Sequence, residues 1–175
     1  SWRAGMTEII SADYIAYAKN RFALNWDGVH GAAHWARVRL FGLAVGRVTG
    51  ADLKAVEVFA FIHDLCRHND DYDPNHGPRA AALLATINDE FFQLNATQLA
   101  LVQKACNVHT RGTQPTDPTL AACLDGDRLD LWRVGITPDP ARLCTAVAGR
   151  QSVIDWAMSV TDGMPIERPS VFVPR

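Results

Sequence analysis

Residues 50–81, "GADLKAVEVFAFIHDLCRHNDDYDPNHGPRAA", constrain the fold more than any other stretch of the chain. Val56, Phe59, Ala60 and His63 recur there at intervals of three and four, the period of one helix face. The spacing predicts a helix whose inward stripe ends in a histidine, with Asp64 next to it. The following "NDDYDPNHGP" is made of turn-forming Asp, Asn, Gly and Pro, so it predicts a loop, then a helix over about residues 79–88.

The same period recurs along the chain. It predicts helices over residues 11–24 and 31–48, the second stopped by Gly50, and again over 94–110 and 119–135, with one or two more between 140 and 160. No segment alternates as a strand does, and no repeat is present. The expected architecture is therefore all-α, a single-domain helical bundle, which suits a length of 175 residues. Residues 11–160 form the expected domain and 161–175 an extended tail. Residues 1–10 read as an N-terminal extension, in which 1–5 look foreign or processed and Met6 is a candidate native start.

The polar residues inside this pattern need an explanation. A lone histidine on an apolar helix face is more often a hydrogen-bonded core residue than a ligand. Here, however, His34 faces inward, His63 adjoins Asp64, and Asp125, Asp127 and Asp130 interrupt a later helix that is otherwise apolar. Burying these groups without a counter-charge is expensive, and a divalent cation removes the cost. The second, third and sixth helices would each supply a corner. Two imidazoles and two carboxylates without a thiolate favour Mn, Fe, Co, Ni or Mg over a structural zinc.

"HWARV" at His34, "HD" at His63 and Asp64, and "DGDRLD" around Asp127, in that order and on helices, resemble the HD-domain superfamily of metal-dependent phosphohydrolases. The resemblance spans about residues 26–145. It is closest to a bacterial group with a similar "HD..R..D..DP.HG.RAA" segment and no assigned substrate. It implies an HD-type helical bundle in which His34, His63, Asp64 and Asp127 hold the metal, with Asp125 the rival for the last place. Some HD proteins hold a second metal through two further histidines, and His76 and His109 are similar to those. His76 follows Asp64 by only twelve positions, a shorter span than in dinuclear members, so phosphate binding or proton relay stands as an alternative role for His76 and His109.

The reaction implied is hydrolysis of a small phosphate ester, a nucleotide first of all, by hydroxide generated at the metal. Asp64 or Asp127 would accept the water proton, and His76 or His109 would protonate the leaving oxygen. Arg67, four residues after His63, and Arg79, opening the next helix, are the expected phosphate-binding residues; surface ion pairs with Asp70, Asp71 or Asp73 are their plainer explanation. Arg37, Arg128 and Arg133 are expected to orient ligands, and His30 stands at the pocket mouth or at a helix start. Two other classes remain: a dinuclear iron oxygenase of the HD type, and a metal-binding signalling module without turnover.

A formal charge of −2 gives no footprint for a nucleic acid polymer or an anionic membrane, so an anionic ligand must be bound locally. Cys66, Cys106, Cys123 and Cys144 have no zinc-knuckle or redox spacing, and read as reduced thiols of a cytoplasmic protein. The tryptophans read as core.

Overall fold

Most of the helices begin where the sequence offers an oxygen to the free N–H groups of a first turn. The computed structural model describes residues 7–173. Ser11 caps α1 (Ala12–Arg21), and α2 (Ala32–Thr49) runs to Gly50, whose φ of 82° closes it in the left-handed region. Asp52 caps α3 (Leu53–Ile62). Then α4 (His76–Phe91) follows the turn-rich loop, and Asn95 and Gln98 form a capping box on α5 (Ala96–Val108). Asp117 caps α6 (Pro118–Arg128), and α7 (Gln151–Thr161) completes an all-helical domain with no strand among the described residues.

Residues 55–62 of α3 are buried on every side. A helix apolar all round belongs at the centre, and α3 packs against α2, α5 and α6. α4 lies along α5, and α1 is pinned by Tyr14, whose hydroxyl donates to Phe61 O. Burying Phe59, Phe61 and Ile62 completely makes this helix costly to disturb, about 3–5 kcal/mol for a Phe→Ala change. His63 caps its C-terminus, so the packing that fixes α3 also fixes His63 and Asp64.

Two helix crossings depend on glycine. A Cβ on Gly126 of α6 would lie 2.7 Å from Val38 O and 3.0 Å from Gly42 Cα of α2. A Cβ on Gly77 of α4 would lie 2.1 Å from Cys106 O of α5. Each glycine immediately precedes or follows a residue of the polar cluster described below, Asp127 in one case and His76 in the other.

Several boundaries differ from expectation. α4 starts at His76 and not near 79, because Pro78 falls in the first turn, where no backbone N–H is needed. The helix expected over 119–135 ends at Arg128; Asp130 turns inward, and a short 3-10 turn, Leu131–Val134, follows. Residues 140–160 give a 3-10 turn, Pro140–Arg142, and then α7. The C-terminal segment folds back: the Phe172 and Trp156 rings are 5.6 Å apart, with the Arg168 guanidinium 5.6 Å from each. Ile10 is fully buried, whereas residues 1–6, including the stretch read as foreign and Met6, lie outside the described residues.

Candidate metal centre

Four imidazoles and two carboxylates converge where the ends of α3, α5 and α6 meet the first turns of α2 and α4. His34 Nε2 lies 3.2 Å from His63 Nε2 and 3.2 Å from Asp127 Oδ1, and His63 Nε2 lies 3.5 Å from the same oxygen. Asp64 Oδ2 completes this half at 3.4 Å from His34 and 3.5 Å from His63. The other half uses the second oxygen of the same carboxylate. Asp64 Oδ1 lies 3.0 Å from His76 Nε2 and 3.6 Å from His109 Nε2, and those two nitrogens are 2.8 Å apart.

Atoms about 2.1 Å from a shared ion stand about 3.0 Å apart at octahedral corners and about 3.4 Å apart at tetrahedral ones. The observed separations match those edges. The His34, His63, Asp127 group and the Asp64, His76, His109 group can therefore each hold a metal ion.

The outer ring nitrogens explain why the inner ones face one another. His63 Nδ1 lies 3.0 Å from Ala60 O, His76 Nδ1 bonds Asp73 O, and His109 Nδ1 lies 2.7 Å from Cys106 O. Each acceptor is a carbonyl three residues earlier, and for His63 and His109 it belongs to the last turn of a helix, where carbonyls are free. A carbonyl cannot donate, so each Nδ1 carries the proton and each Nε2 presents a lone pair. His34 Nδ1 reaches the Asp130 carboxylate at 2.6 Å. Neutral imidazoles so tethered aim their lone pairs at one another and at two carboxylates, an arrangement that needs a cation or extra protons.

In the protein without metal, protons fill part of that need. Burial and the Arg133 charge push the His34 imidazole down, but hydrogen bonds to Asp127, Asp130 and Asp64 outweigh them and carry it up to about 9. Burial likewise pushes Asp64 up. The surrounding imidazoles of His63, His109, His34 and His76 overcome it and hold this carboxyl well below the usual range. Against its burial, Asp127 is held down by His34 and His63 in the same way.

Asp125 and Asp127 are separated by what they touch. Asp125 Oδ1 accepts from Cys144 N at 2.6 Å, and its Oδ2 from Thr145 Oγ1 at 2.7 Å. It ties down the segment after the 3-10 turn and stands outside the cluster. The residue that sequence reasoning did not assign is Asp130. Its Oδ2 orients His34, while Oδ1 accepts from Arg37 Nε at 2.7 Å and Thr161 Oγ1 at 2.8 Å. Its only sequence signal is an acid three residues after Asp127, matched by a base three residues after His34.

The arginines divide. Arg67 lines a cleft of about 800 Å³ together with Asp64, His109, Asp127, Arg133 and Arg142. Its Nε is 3.4 Å from Asp64 Oδ1, and its Nη1 donates to Asn69 O and Asp71 O. Arg79 does not line this cleft; its guanidinium bonds Cys66 O and Asp73. Arg37 acts through Asp130, as expected of an orienting residue. Arg133 donates to Val29 O and Asp130 O, and Arg128 to Arg142 O and Thr113 O, so both charges face the cleft without a carboxylate partner among the described residues. His30 pairs with Asp70 at 2.7 Å, beside the turn that carries Arg67.

The four cysteines are free, and burial pushes the Cys106 and Cys123 thiols up, so no thiolate competes for the site. No helix among the described residues is long and apolar enough to cross a membrane. No protein-family model, curated protein or solved structure matches the chain.

Proposed function

We propose that this chain is a dinuclear metal-dependent phosphohydrolase of the HD type, acting on a small phosphate ester, with nucleotides the first candidates. The observation that carries the reading is the Asp64 carboxylate, which gives one oxygen to each half of a six-residue ligand cluster. The His34, His63, Asp64 and Asp127 group would hold the first ion, and Asp64, His76 and His109 would hold the second. Mn, Fe, Co, Ni and Mg all suit this oxygen and imidazole set. Ions bound there supply charge to a phosphoryl group and lower the pKa of water from about 16 toward about 7.

The chain's own residues do the rest. Arg133 and Arg142, with Arg67, present guanidinium groups to the cleft that Asp64 and Asp127 line, which suits a phosphate ester docked beside the ligands. Both ring nitrogens of His76 and His109 are committed, one to a carbonyl and one to the cluster, so this reading gives them to the metal in place of proton donation. The short span from Asp64 to His76 is no obstacle, because the turn through Asp73 brings His76 back to Asp64.

A second reading is favoured by the same bridging carboxylate: an HD-type dinuclear iron oxygenase. Metal per chain, measured on protein purified without chelator, combined with phosphate release from p-nitrophenyl phosphate and a nucleotide panel, separates the two. Phosphate release that disappears in Asp64→Ala supports the hydrolase. Two irons per chain with oxygen uptake and no phosphate release would replace it with the oxygenase, and a metal-free chain would remove both.

A further inference from the structure

A second hollow, of about 820 Å³, lies across Arg67 from the metal cleft, and Arg67 is the lining residue that the two share. Arg21, Arg67, His68 and Arg79 line it, and no aspartate or glutamate does among the described residues. The metal cleft, by contrast, is lined by Asp64, Asp127 and Asp139 as well as by arginines.

The charges here are only partly answered. Arg21, in the last turn of α1, is exposed and makes no ion pair among the described residues. Arg67 has one carboxylate in reach, that of Asp64, which belongs to the ligand cluster. Arg79 pairs with Asp73, but Asp73 does not line the hollow. The guanidinium groups also keep unused donors: Arg67 bonds through Nε and Nη1, and Arg79 through Nε and Nη2, leaving one terminal nitrogen of each without a protein acceptor among the described residues. Tyr17 and Leu83 add a ring and an apolar side chain to the same wall.

We infer that this hollow is a second anion site, separate from the metal cleft, which binds a small phosphorylated compound with an apolar part. α1, the turn after α3 and α4 each contribute an arginine to this lining, and guanidinium groups are suited to binding a phosphoryl oxyanion. The volume falls in the range of small-molecule sites. The inference goes beyond the proposed reaction, since none of its residues other than Arg67 borders the metal cleft.

The test is calorimetric titration of the metal-loaded full chain with phenylphosphonate, a non-hydrolysable probe carrying both features. Arg21→Glu reverses an exposed charge, and an unchanged melting curve and metal content establish that the variant is intact. The expected result is a binding event in the wild type that is at least about tenfold weaker in Arg21→Glu, while Arg142→Glu, on the other cleft, leaves that event in place. If only one event is seen and Arg21→Glu abolishes it, the hollow is supported and the metal cleft is not. Wild-type affinity and stoichiometry in Arg21→Glu, or no binding by the wild type, would overturn the inference.

Discussion

Asp64 Oδ1 stands 3.0 Å from His76 Nε2, although a turn-rich loop separates the two residues in sequence. The other Asp64 oxygen lies 3.4 Å from His34, so one carboxylate faces both groups of candidate ligands. Replacement of Asp64 by Ala is therefore expected to lower metal content from about two ions per chain toward none, whereas His109→Ala should remove only one. Elemental analysis of the two purified variants decides this. Equal losses from both would mean that the halves do not bind separately.

Asp130 touches no proposed metal, yet it sets the direction of His34. Asp130→Asn keeps the shape but removes the charge that holds the Nδ1 proton and pairs with Arg37. Metal affinity at the His34 half should fall about 10- to 100-fold, with the His109 half little changed. Competition against a chelator of known affinity gives the number, and an unaltered affinity would leave Asp130 with only a structural role.

Much of this site was legible in the sequence because helices have a period. His34 and His63 fall on inward stripes, and a stripe is visible wherever apolar residues recur at three and four. The choice between Asp125 and Asp127 was not legible. Both are on α6, two residues apart, and which one faces His34 depends on how α2 crosses α6 at Gly42 and Gly126. His76 was also hard to place, because Pro78 masked the true start of α4 and the approach of α4 to α5 is a tertiary fact. Arg79 lies in the first turn of the right helix, but the donors it uses go to Cys66 O and Asp73, away from the metal cleft.

Asp125 and Asp127 have separable roles. Asp125→Ala should leave metal content unchanged and reduce stability by about 1–3 kcal/mol, because the N–H groups of Cys144 and Thr145 lose their acceptor. Asp127→Ala should do the reverse, removing metal from the His34 half. Denaturant melts paired with metal analysis would expose an exchange of these roles.

Proton release carries a pH signature. His34 titrates at about 9 in the metal-free fold, above its ordinary 6.5, so its protonated form stabilises that fold fully below pH 6.5. This contribution fades as pH rises toward about 9. A metal needs the Nε2 lone pair and must displace that proton. Adding Mn to metal-free protein in weak buffer at pH 7 should release about one proton from this residue, and the release should shrink as pH approaches about 9. A release that grew with pH across this window would contradict the charge state assigned to His34.

The second half of the cluster depends on backbone as well as on ligands. Gly77 carries no functional group, but a Cβ there would meet Cys106 O at 2.1 Å, closer than any real contact allows. Cys106 O is also the acceptor that orients His109, and His76 is the residue before Gly77. Gly77→Ala must therefore push the first turn of α4 away from the end of α5 and spread His76 from His109, which stand 2.8 Å apart. The expected cost is about 1–3 kcal/mol in stability, accompanied by loss of the second ion and retention of the first. Because α2, α3 and α6 do not move with this turn, the His34, His63 and Asp127 group is left intact. Metal per chain falling from about two to about one, in a variant that still melts cooperatively, would show that this close helix approach builds the second site.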